Sequence, residues 1–128
     1  MRIFKTKWIA RFARREGISD SSLGEAIRRA ERGLVDADLG GAVIKQRIAR
    51  PGRGRSGGYR VLIAYRRGAR AVFLYGFAKS ERENVAADEL ETLRDIATGW
   101  LEASANQLAR AIADGLIQEM DYEDEEEN

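Results

Sequence analysis

The spacing of apolar residues changes twice along this chain, and that change limits the folds open to it. Residues 6–34 carry apolar side chains three and four positions apart, which predicts two helices joined as a hairpin. Residues 42–49 alternate between apolar and polar positions, and residues 59–67 and 70–78 are rich in β-branched and aromatic side chains, as strands are. Helical spacing returns from about Ala86. The order α, α, β, β, β, α predicts an α+β fold, with an N-terminal helical hairpin packed on a three- to four-stranded antiparallel sheet and a C-terminal helical extension.

The predicted hairpin supplies the first core candidates. Trp8 and Phe12 are one helical turn apart and are both expected to face inward. The second helix is expected to begin at Ser22, where a glutamate three residues on completes a capping box. Ser19 is a competing start one turn earlier, and Gly33 is expected to end the helix.

The first predicted strand separates charged from apolar side chains. Over residues 42–49, Ile44 and Ile48 share one face, while Lys45 and Arg47 share the other. One face of this strand is therefore expected to enter the core, and the basic face is expected to stay accessible.

The length of 128 residues fits a single domain. We expect this domain, with its C-terminal helices, to cover residues 1–115, and an acidic tail without fixed structure to cover residues 116–128. The apolar runs are far shorter than the roughly 20 residues that cross a bilayer, and the N-terminus lacks the apolar core of a signal peptide. The expected location is the cytoplasm, with no membrane partner.

The chain contains no cysteine and no histidine. This composition excludes a disulfide framework, a thiol nucleophile and the most common general base and metal ligand. The acidic residues cluster toward the C-terminus instead of at spaced ligand positions, which argues against a metalloenzyme. We therefore predict neither a metal site nor a cofactor.

Charge divides the chain into two halves of opposite sign. Residues 1–79 hold 19 Lys and Arg against 6 Asp and Glu, a net charge of +13. Residues 80–128 hold 3 against 15, a net charge of −12, so the whole chain carries only +1. This asymmetry predicts a polyanion-binding body followed by an acidic tail. The alternative is that solvated faces of opposite sign pair with each other.

The stretch from Gly40 to Ala78 contains no acidic residue. Ten basic residues occupy residues 41–79, namely Lys45, Arg47, Arg50, Arg53, Arg55, Arg60, Arg66, Arg67, Arg70 and Lys79. Aromatic residues are interleaved with them. Because cations hold phosphates and aromatic rings stack on unpaired bases, this composition predicts a surface for single-stranded nucleic acid. For Phe73 and Phe77, a place in the core is the simpler interpretation.

Three segments of this stretch resemble the RelE/ParE superfamily of toxins. Residues 58–62, Gly-Tyr-Arg-Val-Leu, resemble its Gly-Tyr-Arg strand, and residues 43–47, Val-Ile-Lys-Gln-Arg, resemble its basic second strand. Residues 75–82, Tyr-Gly-Phe-Ala-Lys-Ser-Glu-Arg, are similar to the closing strand and the basic corner that follows it. The segments are closest to the HigB branch, and the resemblance covers about residues 4–93. It implies a microbial-ribonuclease-like (RelE-like) toxin fold.

The resemblance also implies the activity of a metal-independent mRNA interferase, an endoribonuclease that cuts messenger RNA, usually in the ribosomal A site. The ribose 2′-OH attacks the adjacent phosphate and leaves a 2′,3′-cyclic phosphate and a free 5′-OH. This reaction needs a base for the 2′ proton, cations for the developing phosphorane charge and an acid for the leaving oxygen.

Four residues are the catalytic candidates. Arg60 is expected to stabilise the phosphorane, because its planar guanidinium can hold two phosphate oxygens. Lys45 is a candidate base if burial and neighbouring cations favour its neutral form, and otherwise a phosphate clamp. Lys79 and Arg82 match the closing corner and are candidates for the leaving-group acid or a second phosphate contact; a salt bridge at the helix start is an equal alternative for Arg82. Many members that cleave RNA carry a tyrosine after this corner, but residues 84–88 contain none, so the base stays unassigned.

A second group of residues is expected to bind RNA without taking part in the chemistry. Three of its arginines lie on the glycine-rich loop over residues 50–58 and are expected to hold the RNA backbone. The two tyrosines are expected to stack on bases. The group consists of Arg47, Arg50, Arg53, Arg55, Tyr59 and Tyr75.

Two alternatives stay open. ParE-like members of the superfamily inhibit DNA gyrase with the same fold, and a non-catalytic RNA- or DNA-binding module would also use a basic sheet. As partners the resemblance implies mRNA, the ribosome and a cognate antitoxin of the helix-turn-helix, HigA-like kind. A further hypothesis, drawn from the charge asymmetry, is that residues 121–127 fold back over the basic strands and weaken RNA binding.

Overall fold

The computed structural model describes residues 1–50 and 54–122, apart from the side chains of residues 54–56. The strands are β1 (Arg2–Thr6), β2 (Ala37–Asp38), β3 (Val43–Arg50), β4 (Gly54–Arg66), β5 (Arg70–Ala78) and β6 (Ile117–Met120). The helices are α1 (Lys7–Glu16), α2 (Asp20–Glu31), α3 (Ala87–Glu102) and α4 (Ala105–Ala113). The predicted α+β class is confirmed. None of these helices has the length and apolar character needed to span a bilayer.

All six strands belong to one sheet, in the order β2-β3-β4-β5-β1-β6. The predicted antiparallel meander forms its centre, because β4 pairs antiparallel with both β3 and β5. The sheet is larger than predicted and mixed, since β1 runs parallel to β5 and β6 pairs antiparallel with β1. Residues 117–120 thus belong to the sheet and not to the acidic tail, because Ile117 and Met120 are buried on its two faces.

Helices cover both faces of the sheet. The predicted hairpin, α1 and α2, packs on what we call the hairpin face. Its contacts with the sheet include Phe12, Leu23, Ile27, Val61 and Ile63. The C-terminal helices α3 and α4 pack on the opposite face, which we call the extension face. Their contacts with the sheet include Ala97, Leu101, Leu108, Leu62 and Val72.

Two details of the hairpin differ from the prediction. Phe12 is buried as expected, but Trp8 is 42% exposed and lies against Tyr75 of β5, with the ring centroids 4.4 Å apart and the rings tilted by 38°. The helix α2 starts one turn before the favoured start, because the Ser19 hydroxyl accepts a hydrogen bond from the Ser22 backbone N–H at 3.1 Å and caps the helix.

The chain beyond β6 is described for two residues only. Tyr122 packs against the hydrophobic cluster on the hairpin face. Residues 123–128 lie outside the described part of the chain, so the hypothesis that the acidic tail covers the basic strands is not tested.

Candidate active site

An open pocket of about 300 Å³ lies between β3, β4 and the segment that follows β5. It brings four of the predicted site residues together, all of them cationic. Its lining consists of Asp36, Ala37, Lys45, Arg47, Arg60, Lys79, Glu83 and Asn84. We call it the cationic pocket.

The register of β3 and β4 accounts for three of these cations. Arg47 and Arg60 stand directly opposite each other in the antiparallel pair, and Lys45 stands opposite Leu62. Because side chains alternate along a strand, Lys45, Arg47 and Arg60 share the extension face. Like charges directly opposite each other destabilise a sheet. The Arg47–Arg60 pair is therefore better explained by an anion that binds there than by the stability of the sheet.

Gly58 allows the backbone to pack tightly beside the pocket. A Cβ at this position would lie 2.1 Å from the carbonyl oxygen of Ile48 and 2.8 Å from the backbone nitrogen of Arg50, so a larger residue would force the strands apart. The Gly58 carbonyl accepts a hydrogen bond from the backbone N–H of Lys79 at 3.0 Å. This bond holds the backbone of Lys79 beside Gly58, which lies two residues before Arg60 on β4. The glycine of the Gly-Tyr-Arg motif thus places Lys79 close to Arg60.

Two sets of contacts fix the segment after β5. The Lys45 ammonium donates to Asn84 Oδ1 at 2.8 Å and ties the segment to β3. Arg82 donates from Nη2 to Glu89 Oε1 at 2.7 Å and from Nε to the Asn84 carbonyl at 2.9 Å. Its guanidinium also lies over the Phe77 ring, 5.6 Å from the centroid. Arg82 thus joins the segment to the first turn of α3 through the salt bridge that was its alternative. It does not line the pocket, and its catalytic role stays a prediction.

Arg60 is the most buried cation of the pocket, with 7% of its surface exposed. Burial lowers the pKa of Arg60 and the neighbouring charge of Arg47 lowers it further, whereas Asp36 raises it. The Nη1 of Arg60 donates to the Tyr59 carbonyl at 3.3 Å. A guanidinium that is held in place beside a like charge is arranged to receive an anion, since a bound anion would relieve the repulsion.

Three polar residues of the pocket were not among the predicted site residues. Asp36 accepts hydrogen bonds at Oδ2 from the Arg47 backbone N–H at 2.7 Å and from Arg29 Nη1 at 3.2 Å. Glu83 and Asn84 come from the segment after β5. All three lie in connecting segments, where no periodic pattern fixes the direction of a side chain. The one signal for Asp36 in the sequence was its acidic side chain, which lies in the connection between α2 and β2.

Tyr59 and Arg50 do not face the pocket. Tyr59 is 2% exposed and points to the hairpin face, where its hydroxyl donates to Glu16 Oε1 at 3.2 Å. Arg50 lies over the Tyr59 ring, 5.7 Å from the centroid. The predicted stacking of Tyr59 on RNA is therefore wrong, because alternation places Tyr59 on the face opposite Arg60.

Tyr75 also lies apart from the cationic pocket. It is partly exposed in a separate groove that Asp88 and Glu89 of α3 help to form. Arg53 and the side chain of Arg55 lie outside the described residues, so their contacts with RNA stay predictions.

The chemistry available in the pocket is that of fixed positive charge. Among the residues that the structure describes, no three Asp or Glu side chains are placed to hold a metal ion together. Guanidinium and ammonium groups that converge on one site bind phosphate oxygens and stabilise negative charge that develops on them. A phosphate ester of a polyanion fits this arrangement.

The fold and the pocket together define a small α+β protein with a cationic site on its sheet. The family model described as the RelE toxin of the RelE / RelB toxin-antitoxin system matches residues 1–120. The chain therefore belongs to the RelE toxin family and is a toxin of a toxin–antitoxin system, which implies a cognate antitoxin. The match runs to Met120, so it includes the C-terminal helices that the resemblance in the sequence had left outside. No curated protein matches the sequence closely enough to count as a relative.

Proposed function

We propose that this toxin is an mRNA interferase that cuts messenger RNA on the ribosome by attack of the ribose 2′-OH on the adjacent phosphate. The observation that carries the proposal is the convergence of Lys45, Arg47, Arg60 and Lys79 in one pocket. Membership of the RelE family supports it, since toxins of this family are generally endoribonucleases.

Arg60 stabilises the phosphorane in this proposal. Negative charge on the non-bridging oxygens grows between the ground state and the transition state, so a fixed, buried guanidinium stabilises the transition state more strongly. Arg47 stands opposite Arg60, and its side chain is 50% exposed. We assign Arg47 to the same phosphate or to the next one along the RNA backbone.

The two lysines take different roles. The Lys45 ammonium already donates to Asn84, so we assign Lys45 to the phosphate and to the position of the segment after β5. Lys79 is exposed, and within the described residues its side chain makes no hydrogen bond or ion pair. We assign Lys79 as the acid that protonates the leaving 5′ oxygen.

The remaining predictions concern the branch of the family, the location, the antitoxin and the residues that bind RNA outside the pocket. We propose that the chain is of the HigB-like branch, acts in the cytoplasm and is held inactive by a HigA-like helix-turn-helix antitoxin. Arg50, Arg53 and Arg55 lie between Arg47 and Arg60 in the sequence and are proposed to hold the RNA backbone on either side of the cleavage site. Tyr75 is proposed to contact a flanking base, because its ring is partly exposed.

Cleavage of a defined messenger, naked and on translating ribosomes, tests the proposal. The wild-type protein should produce ends with 2′,3′-cyclic phosphate, and Arg60→Ala should lower the rate by about 10²–10³-fold, as the loss of one oxyanion-stabilising donor does. Arg11→Ala is the matched control, since Arg11 is exposed on α1 and lies outside the pocket. If the wild type leaves RNA uncut in both settings, the proposal fails. Inhibition of gyrase supercoiling would then identify a ParE-like toxin, and RNA retention without cleavage would identify a binding module.

A further inference from the structure

The reaction proposed above needs a base for the 2′ proton, and the chain contains no histidine. Two carboxylates line the cationic pocket, those of Asp36 and Glu83. Asp36 is occupied, because its Oδ2 accepts from the Arg47 backbone and from Arg29 while its Oδ1 lies 3.9 Å from Arg47 Nε. Glu83 is exposed, and within the described residues its carboxylate makes no hydrogen bond or ion pair.

We propose that Glu83 is the general base that accepts the proton of the attacking 2′-OH. This inference rests on the proposed RNA cleavage and assigns the one role that the cations of the pocket leave open. Carboxylates are ionised at neutral pH, whereas a lysine must first lose a proton before it can act as a base. Lys45, the other candidate, donates a hydrogen bond to Asn84 at 2.8 Å.

The contacts of the neighbouring residue place Glu83 at the pocket. Asn84 is held at its side chain by Lys45 and at its backbone carbonyl by Arg82 Nε, at 2.9 Å. Arg82 is itself fixed by Glu89 in the first turn of α3. The backbone next to Glu83 is therefore held from β3 and from α3, while the carboxylate is left without a partner among the described residues. A positioned but unpaired carboxylate can take up a proton without breaking an existing contact.

The negative charge of Glu83 among four cations lowers the affinity of the pocket for a polyanion, so binding alone does not explain a glutamate at this position. Proton transfer to Glu83 does explain it. As the 2′ proton moves to the Glu83 carboxylate, the negative charge leaves Glu83 and develops on the phosphorane oxygens beside Arg60. Repulsion between Glu83 and the phosphate thus disappears as the transition state is approached, and this favours the transition state over the bound substrate.

The atoms of the step balance without any further reactant. The bond between the 2′ oxygen and phosphorus forms, and the 2′ proton passes to Glu83. The bond between phosphorus and the 5′ oxygen breaks, and that oxygen takes a proton from the Lys79 ammonium. Exchange with solvent then returns the proton from Glu83 and restores the one on Lys79.

The test compares Glu83→Gln with Glu81→Gln, because Glu81 is an exposed glutamate in the same segment that does not line the pocket. Single-turnover cleavage is measured across acid and neutral pH, and affinity is measured with an RNA that carries a 2′-deoxy sugar at the cleavage site. Glu83→Gln should lower cleavage by about 10²–10⁴-fold, the usual contribution of a general base, while affinity stays equal or rises. The decline of the wild-type rate toward acid pH should vanish in Glu83→Gln, and Glu83→Asp should restore part of the rate.

A substrate with sulfur in place of the 5′ bridging oxygen separates the base from the acid. A thiolate leaves without protonation, so this substrate should relieve the defect of Lys79→Ala and leave the defect of Glu83→Gln unchanged. Wild-type protein that cuts, together with Glu83→Gln that cuts within about threefold of it, would overturn the assignment of Glu83 alone. Wild-type protein that does not cut would overturn the proposed function itself.

Discussion

Two buried arginines, one on α2 and one on β4, show how the same side chain serves structure in one region and is proposed to serve chemistry in another. Arg29 is 4% exposed and Arg60 is 7% exposed. Arg29 donates to Glu25 Oε1 at 2.9 Å, to Asp36 Oδ2 at 3.2 Å and to the carbonyl of Arg47. Arg60 stands opposite the like charge of Arg47 and lines the open pocket.

The difference lies in what neutralises each buried charge. Arg29 faces carboxylates of this chain, so its guanidinium links α2, the start of β2 and β3 into one unit. Next to it, the fully buried Gln46 donates to the carbonyls of Ala26 and Leu34, at 3.0 and 3.1 Å, and strengthens the same link. Burial lowers the pKa of Arg60, the neighbouring charge of Arg47 lowers it further, and Asp36 raises it. A buried arginine whose charge is met mainly by carboxylates of the chain stabilises the fold, whereas a second arginine placed opposite Arg60 adds to the attraction of this site for anions.

Substitution of each buried arginine by alanine is the strongest test of this difference in role. Arg29→Ala removes the ion pairs with Glu25 and Asp36 and the hydrogen bond to the Arg47 carbonyl, so the free energy of unfolding should fall by about 1.5–3 kcal/mol, the scale of hydrogen bonds to a charged group. Arg60→Ala should cost less than Arg29→Ala, because it also removes the repulsion between Arg60 and Arg47. Urea unfolding followed by circular dichroism measures both. Equal losses in the two variants would contradict the division into a structural and a functional arginine.

Tyr59 and Arg60 make the same comparison at two adjacent positions of β4. Tyr59→Phe removes the hydrogen bond from the tyrosine hydroxyl to Glu16 at the hairpin face, so stability should fall by about 0.5–1.5 kcal/mol. Cleavage of the defined messenger should stay within about twofold of the wild type, because the ring does not reach the pocket. A large loss of cleavage with unchanged stability would instead restore the predicted contact between Tyr59 and RNA.

The sequence predicts the parts of this fold whose signals are local. The hairpin, the three central strands and α3 follow from periodicity, and the predicted bounds of β5 agree with the structure. The parallel pairing of β1 with β5 joins Arg2 to Arg70, and no local pattern specifies so distant a partner. The strand β6 has only four residues, too few for alternation to be distinguished from an irregular segment.

The candidate site was predictable to the extent that strand alternation fixes side chains. Lys45, Arg47 and Arg60 reach one pocket because they share a face of paired strands. The same rule groups Tyr59 with Val61 in the hairpin core, so that assignment could have been made from the sequence. The direction of Arg82 could not, because it depends on Glu89, which the fold brings to it from the next helix.

The ion pair of Arg82 and Glu89 is an exposed version of the pairing seen at Arg29, and it should contribute least. The pKa of Glu89 is lowered, first by the hydrogen bond from Arg82 and then by the backbone N–H of Ala86. A carboxylate whose pKa is lower in the folded than in the unfolded chain stabilises the fold above its unfolded pKa, and this contribution is lost as the pH falls through the folded pKa. Glu89→Gln should therefore be slightly less stable than the wild type at neutral pH, and the difference should vanish in acid.

Urea unfolding at a series of pH values from about 7 to well below the unfolded pKa of glutamate, near 4.3, measures this difference. The control is Glu91→Gln, since Glu91 is exposed on the same helix and makes no ion pair within the described residues. Its stability should stay parallel to that of the wild type over the whole range. A constant offset between Glu89→Gln and the wild type at every pH would mean that the charge of Glu89 does not hold Arg82. In that case Arg82 would be free to turn toward the pocket, and its predicted role in the chemistry would have to be considered again.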